Sequence, residues 1–219
     1  MTFFDWSQVL ALAVFVAIFA ARSVLMFVRE GTNPFALSAG KAGARWAVEA
    51  LMPLAIGIWM AALGVSTFGH GKDLPLGLGA TIVDADALRA TGVALLTVSV
   101  ALFAWALLSF GSSWRVGIDE NAPGKLVTVG VFRVTRNPIF VSMDAFFIGT
   151  FLVQGTLFFL LAAVIALVGA HFQILQEESF LSRTYDAAYT RYRAMAPRYL
   201  GWPTRGTENQ SLTRAGSPR

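Results

Sequence analysis

The chain has 219 residues, of which 56% are hydrophobic and 14% are charged, and its mean hydropathy is +0.61. It is more apolar than a soluble core of this size requires, so composition predicts a protein that lies in a lipid bilayer. A separate nucleotide-binding domain of about 150 residues does not fit beside several membrane helices, so any cofactor must bind the membrane region itself. The absence of cysteine excludes disulfides and thiolate chemistry, and with only two histidines we expect no metal site.

Long uncharged stretches predict an all-α, integral membrane helical bundle. The first three candidate spans cover about residues 6–28, 48–69 and 89–111. Each is long enough to cross a bilayer core of about 30 Å. We divide the chain into an N-terminal three-helix region (1–111), a core (112–202) and a disordered cytoplasmic tail (203–219).

The fourth apolar region is too long for one crossing. Residues 145–176 contain no Asp, Glu, Lys or Arg. One helix of this length would exceed the bilayer core by about half. Gln154, Gly155 and Thr156 provide a turn, so we predict a hairpin of two helices at about 138–153 and 157–178, which makes five transmembrane helices.

The positions of the basic residues predict the orientation. Residues 29–46 contain three basic side chains, 112–137 contain four, and the chain after 178 contains seven, whereas the opposite loops carry only Lys72 and Arg89. Positive charge accumulates on the cytoplasmic side, so we expect the N-terminus outside and the C-terminus in the cytoplasm. Topology thus accounts for the net charge of +4, and we expect no nucleic-acid partner.

A basic, glycine-containing segment, KLVTVGVFRVTRNP, runs from Lys125 to Pro138. Proline suits the first position of a helix and asparagine the cap before it, so we expect the fourth helix to begin at Pro138 with Asn137 as its cap. The helix dipole, Arg133 and Arg136 would then attract an anion at the cytoplasmic boundary. The alternative is that the arginines only contact lipid headgroups.

A pair of carboxylates, Glu177 and Glu178, ends the hairpin, with Gln173 one turn earlier on the face of Glu177. We expect one carboxylate to face a pocket, where it can hold an ammonium group, and the other to face water. The alternative is that both are simply solvated. Side chains of both signs at one membrane boundary suit a small zwitterionic ligand.

Tyr185, Tyr189 and Tyr192 follow at helical spacing beside several arginines. This pattern is typical of an amphipathic helix on the membrane surface, and we interpret the tyrosines as an interfacial anchor. The alternative is that they cover a cofactor pocket.

Two ionisable residues, Arg22 and Asp144, lie inside predicted spans. Such groups generally face the protein interior or a wet cavity, so we expect them to pair or to line a substrate path. We interpret His171 as an interhelical hydrogen-bond partner.

Together, L-V-T-x-G-x-F-x-x-x-R-N-P-x-F at Leu126–Phe140, the following Q-E-E, Y-x-x-x-Y-x-x-Y, and Ala-Pro-Arg at 196–198 resemble a known family. The chain is similar, over about residues 108–202, to the isoprenylcysteine carboxyl methyltransferases and phospholipid methyltransferases. The resemblance implies an S-adenosylmethionine-dependent membrane enzyme that methylates a lipophilic acceptor. Its implied cofactor contacts are Lys125, Leu126, Val127, Gly130, Phe132, Asn137, Pro138, Phe140 and Glu177.

Catalytic candidates are Arg136, Glu178 and Asp144, and substrate candidates are Gln173 and Arg22. If the acceptor is an amine or a hydroxyl, Glu177, Glu178 and Asp144 are the candidates to take its proton, and the sequence does not rank them for this role.

Several residues depart from the family pattern. Asn137 stands where the eukaryotic enzymes have histidine, Phe132 and Phe140 replace tyrosines, and Gln173 replaces an arginine of the prenylcysteine enzymes. A lipophilic acceptor other than prenylcysteine fits these changes better. Two alternatives remain: a nicotinamide-dependent membrane sterol reductase, whose pattern after the proline differs from Ile139-Phe140, and a non-catalytic membrane protein.

Overall fold

The computed structural model describes residues 2–30, 44–69, 74–111 and 126–201. Five α-helices lie within these ranges, and short 3-10 helices occur at Pro75–Gly77 and Gly130–Arg133. The α-helices are α1 (Phe3–Glu30), α2 (Ala44–Phe68), α3 (Asp86–Phe110), α4 (Pro138–Gln154) and α5 (Leu157–Met195). The all-α prediction is confirmed. Lys125 and the predicted tail at 203–219 lie outside the described residues.

Helices α1, α3 and α5 are long and apolar enough to cross a membrane, and shorter apolar helices cover Leu54–Phe68 and Pro138–Gln154. Their outward faces are hydrophobic: Phe27, Val164, Ile165 and Phe172 are all exposed. A bilayer solvates such surfaces, since helices satisfy their own backbone polar groups. These features support an integral membrane protein, while the predicted orientation stays a prediction.

Helices α3 and α4 pack closely because both present glycine at the contact. A Cβ on Gly92 would lie 2.7 Å from the Gly149 carbonyl oxygen, and one on Gly149 would lie 2.9 Å from that of Gly92. Small residues allow such close approach in membrane bundles. The Ser99 hydroxyl also donates to the Ser142 carbonyl at 2.6 Å. This contact with α3 sets the position of α4. The segment 126–138, which we call the motif segment, ends at the first residue of α4.

The predicted hairpin turn is confirmed at Gly155, which has a φ of 66° and caps α4 with a hydrogen bond from its N–H to the Phe151 carbonyl. Glycine adopts this left-handed conformation without a steric penalty. The segment before α3 lies on the turn, since Ile82 and Val83 both donate backbone N–H groups to the Gly155 carbonyl at 2.7 and 3.0 Å.

The predicted end of the last helix at residue 178 is wrong, because α5 continues to a kink at Asp186 and then on to Met195. Where this helix leaves the membrane stays a prediction. Its only non-helical backbone is at Asp186, with φ 42° and ψ −116°. The interfacial-anchor interpretation is also wrong for Tyr189 and Tyr192, which are 0% and 4% exposed and pack against Val131 and Phe132. The last two turns of α5 therefore cover the motif segment.

Candidate active site

The centre of the candidate site is Glu178, whose side chain is only 6% exposed. Its Oε1 accepts hydrogen bonds from Arg136 Nη2 at 2.8 Å and Nε at 3.3 Å. Its Oε2 accepts from Arg198 Nη2 at 2.9 Å and Nε at 3.2 Å. Two guanidinium groups thus stabilise the charged form of the carboxylate, and the hydrogen bonds to Glu178 raise the pKa of Arg198 above its ordinary value.

Backbone contacts join the Ala-Pro-Arg segment to the motif segment. The Arg136 N–H donates to the Pro197 carbonyl at 2.9 Å, and the Thr135 hydroxyl donates to the Arg198 carbonyl at 3.1 Å. The Arg136 guanidinium also donates from Nη1 to the Ala196 carbonyl. The structure therefore brings together three sequence motifs that lie up to about 60 residues apart.

Helix α4 begins at Pro138 as predicted, but the predicted capping role of the Asn137 side chain is wrong. Its Nδ2 instead donates to Glu178 Oε1 at 3.3 Å and to the Arg198 carbonyl at 3.1 Å. Tertiary partners have replaced the local cap. Asn137 is 6% exposed, so it contributes to the same buried cluster.

An apolar wall lies beside this cluster. Phe132 is 5% exposed, its carbonyl accepts a hydrogen bond from the Tyr192 hydroxyl at 2.9 Å, and Leu126 and Val127 pack against the same group of residues. Gly130 begins the short 3-10 helix with a φ of 64°, and a Cβ there would lie 2.5 Å from the Ser109 hydroxyl. Glycine at this position thus permits both the positive φ of the turn and the close contact with Ser109 on α3.

The two glutamates have different surroundings, as expected for one buried and one more accessible carboxylate. Glu178 is the buried one, whereas Glu177 is half-buried. Glu177 shares a helix face with Gln173 and Leu181, both half-buried, and Leu181 packs with Leu126 and Val127 against the apolar wall. Phe140 is half-buried near the start of α4.

A groove with a volume of about 310 Å³ opens next to Glu178. We call it the arginine groove, because three arginines and two serines contribute to its walls. Its lining residues are Leu175, Glu178, Ser179, Ser182, Arg183, Arg193 and Arg198. The two arginines that were predicted to attract an anion have different environments. Arg133 is exposed on the surface, whereas the Arg136 side chain is buried and paired with Glu178.

The expected pairing of Arg22 with Asp144 is wrong. Arg22 donates from Nη2 to the Gly111 carbonyl at the end of α3. The Oδ1 atom of Asp144 is buried and has no hydrogen-bond partner among the described residues. His171 Nδ1 and the Tyr199 hydroxyl share a hydrogen bond, so the segment after α5 lies back along that helix. Tyr199 follows the end of α5, so this bond is not the predicted interhelical one.

Arg198, Arg183 and Arg193 were not among the predicted site residues. For Arg198 a signal existed in the Ala-Pro-Arg motif, but nothing in the sequence indicated that this segment contacts Glu178. The arginines at 183 and 193 follow the general excess of basic residues after 178. Only the fold shows that they line one groove.

Residues 87–188 match the model of a known family, described as phospholipid methyltransferase. The matched region includes α4, Arg136 and Glu178, and it confirms the predicted resemblance. The match assigns the enzyme class and the cofactor. The matched region is that of a membrane methyltransferase, which transfers a methyl group from S-adenosylmethionine to lipid-like acceptors. No curated protein matches the chain.

Proposed function

We propose, from the match of residues 87–188 to the phospholipid methyltransferases, that this protein methylates the headgroup amine of a phosphate-bearing lipid. The observation that carries the proposal is the arginine groove beside Glu178, in the C-terminal half of α5. Arg183, Arg193 and Arg198 line it together with two serine hydroxyls. Guanidinium groups bind phosphate through paired hydrogen bonds, and serine hydroxyls donate as well.

The residues around Glu177 suit the cofactor. S-adenosylmethionine supplies an electrophilic methyl group when bound, and it carries an ammonium, a carboxylate and an aromatic base. Glu177 would hold the ammonium, and Leu126, Val127 and Phe132 would provide the apolar wall. The fit rests on the two signs of charge and the apolar cluster meeting at one end of the bundle.

Glu178 and Arg136 act as positioning residues in this account. Both carboxylate oxygens of Glu178 already accept hydrogen bonds, from Arg136, Asn137 and Arg198. A carboxylate with two guanidinium partners is a weak proton acceptor, because its charged form is stabilised. Its contribution is to fix the motif segment against residues 196–198.

Asp144 is the better candidate to take the proton of the acceptor. An amine is nucleophilic only without its extra proton, so a carboxylate near the acceptor would assist the reaction. Asp144 lies seven residues after Asn137, which places it on the same face of α4 and about 10 Å deeper in the membrane. Its buried Oδ1 lacks a hydrogen-bond partner in the described part of the chain.

Transfer of a radiolabelled methyl group to defined lipids tests the proposal. The purified protein is supplied with labelled S-adenosylmethionine and with phosphatidylethanolamine, phosphatidylglycerol or a long-chain primary amine without phosphate. We expect labelling of phosphatidylethanolamine, weak labelling of the simple amine and none of phosphatidylglycerol. Equal use of the two amines would refute the role of the groove, and no labelling of either would refute the amine acceptor.

A further inference from the structure

A second cavity lies at the opposite end of the bundle, beside the α4–α5 turn, with a volume of about 280 Å³. We call it the hairpin pocket. Its lining includes Phe4, Asp5, Ser66, Asp84, Arg89 and Thr156. We propose that it binds the ammonium-bearing headgroup of a lipid in the leaflet opposite the candidate active site.

The frame of the hairpin pocket is held by backbone hydrogen bonds. The Leu157 N–H donates to the Ala80 carbonyl at 2.9 Å, and Thr81 and Thr156 form an antiparallel bridge. Gly155 lets this segment approach, since a Cβ there would lie 1.9 Å from the Val83 carbonyl oxygen. The walls are therefore fixed before any ligand binds.

Two hydroxyl groups that line the pocket lack hydrogen-bond partners among the residues that the structure describes. Thr156 is 6% exposed, and its hydroxyl has no hydrogen-bond partner among the described residues; the same holds for the buried Ser66 hydroxyl. Gln154 also lines the pocket, and its side chain is fixed by a hydrogen bond from its Nε2 to Oε1 of the fully buried Gln8 at 3.2 Å. Unpartnered buried hydroxyls are costly, and a ligand with polar groups would satisfy them.

The charges of the lining favour a cation. Asp5 and Asp84 are opposed by one arginine, Arg89, which already contacts Asp84 at 2.8 Å. Among the described residues that line the pocket, carboxylates therefore outnumber guanidinium groups by one. An ammonium group complements this negative charge. The aromatic ring of Phe4 can also attract a cation through a cation–π interaction.

The surroundings indicate that the ammonium belongs to a lipid. Phe3, Trp6 and Phe68 are 74%, 57% and 65% exposed at this end of the bundle. Exposed aromatic side chains are typical of the membrane–water interface, where lipid headgroups lie. The 17 residues of α4 separate the pocket from Arg136 by about 25 Å, so it is distinct from the arginine groove.

Photo-crosslinking tests the inference in the full-length, detergent-purified protein. The probe is a short-chain phosphatidylethanolamine with a diazirine in the first part of one acyl chain, and labelled peptides are mapped by mass spectrometry. We expect labelling of peptides containing Asp5 or Asp84, separately from any labelling near Glu178. A phosphatidylglycerol probe should label these peptides about tenfold less, since it lacks the ammonium.

Two variants and a control complete the test. Asp5→Asn and Thr156→Val should each reduce labelling at the hairpin pocket about tenfold, as expected when a hydrogen bond to a charged group is lost. Asp86→Asn should leave it unchanged, because Asp86 also contacts Arg89 but is 84% exposed and does not line the pocket. Thermal unfolding verifies that the variants fold, and Thr156→Val preserves side-chain shape.

Equal labelling by the two lipids, or labelling insensitive to both variants, would overturn the proposal. Complete competition by free ethanolamine at a concentration equal to that of the probe would overturn the lipid source in favour of a soluble amine. Loss of methyl transfer with retained labelling here would leave this site intact, because it lies outside the candidate active site.

Discussion

Arg136 and Glu178 are 42 residues apart in the chain, yet Arg136 Nη2 lies 2.8 Å from Glu178 Oε1, with both side chains less than 10% exposed. This contact joins the end of the motif segment to α5. Arg198 binds the other oxygen of Glu178, so the three residues form one buried cluster. The cluster determines how the candidate site is assembled.

Replacing Glu178 by glutamine should destabilise the fold by about 3 kcal/mol, because the buried guanidinium of Arg136 loses its counter-charge. Glu177→Gln is the matched control, since it makes the same chemical change at the half-buried neighbour. Thermal unfolding in detergent measures both. Equal stability of the two variants would show that the cluster does not hold the fold.

Gly155→Ala should disrupt the hairpin turn and cost more than about 1 kcal/mol, since alanine at positive φ is strained. The new Cβ would also meet the Val83 carbonyl oxygen at 1.9 Å. Gly169→Ala is the matched control, because a Cβ there has nothing within 4 Å and helix interiors favour alanine. The unfolding midpoint should fall for Gly155→Ala and stay level or rise for Gly169→Ala. The opposite order would contradict the turn geometry.

Arg183→Gln should raise KM for phosphatidylethanolamine about tenfold while kcat changes little, because it removes a binding contact to phosphate. KM for a phosphate-free amine should be unaffected. Arg133→Gln is the control, since Arg133 is exposed and does not line the arginine groove. A similar KM change in both variants would indicate general membrane electrostatics.

Asp144→Asn should lower kcat by about a hundredfold at neutral pH with little effect on S-adenosylmethionine binding, as expected for loss of a proton acceptor. Raising the pH should partly restore the rate, because more of the amine is then free. Asp86→Asn provides a remote control. Loss of cofactor binding, or a rate loss that is independent of pH, would assign Asp144 a structural role instead.

Much of the fold is predictable because apolar length and turn residues act locally. The hairpin break at Gln154–Thr156 and the start of α4 at Pro138 depend on Gly155 and Pro138 themselves. The end of α5 was mispredicted because polarity after residue 178 resembles a surface helix. Tyr189 and Tyr192 are buried by the motif segment, a long-range partner that helical periodicity does not reveal.

The members of the buried cluster around Glu178 were more predictable than the contacts between them. Arg136, Asn137 and Glu178 are in one cluster, as their shared membrane boundary suggested, but Asn137 binds Glu178 where a local cap was expected. Arg198 was missed because it enters through the segment that folds back after α5. Contacts between residues that are distant in the sequence decide both outcomes, and the spacing of residues along the chain does not reveal such contacts.

The most direct test of the central claim is a calorimetric titration of the detergent-purified protein with S-adenosylmethionine, with Glu177→Ala as the comparison and a reduced nicotinamide cofactor as the competing ligand. We predict saturable binding of S-adenosylmethionine that weakens in the variant, and no binding of the nicotinamide. Binding of the nicotinamide instead, or of neither ligand, would contradict the account.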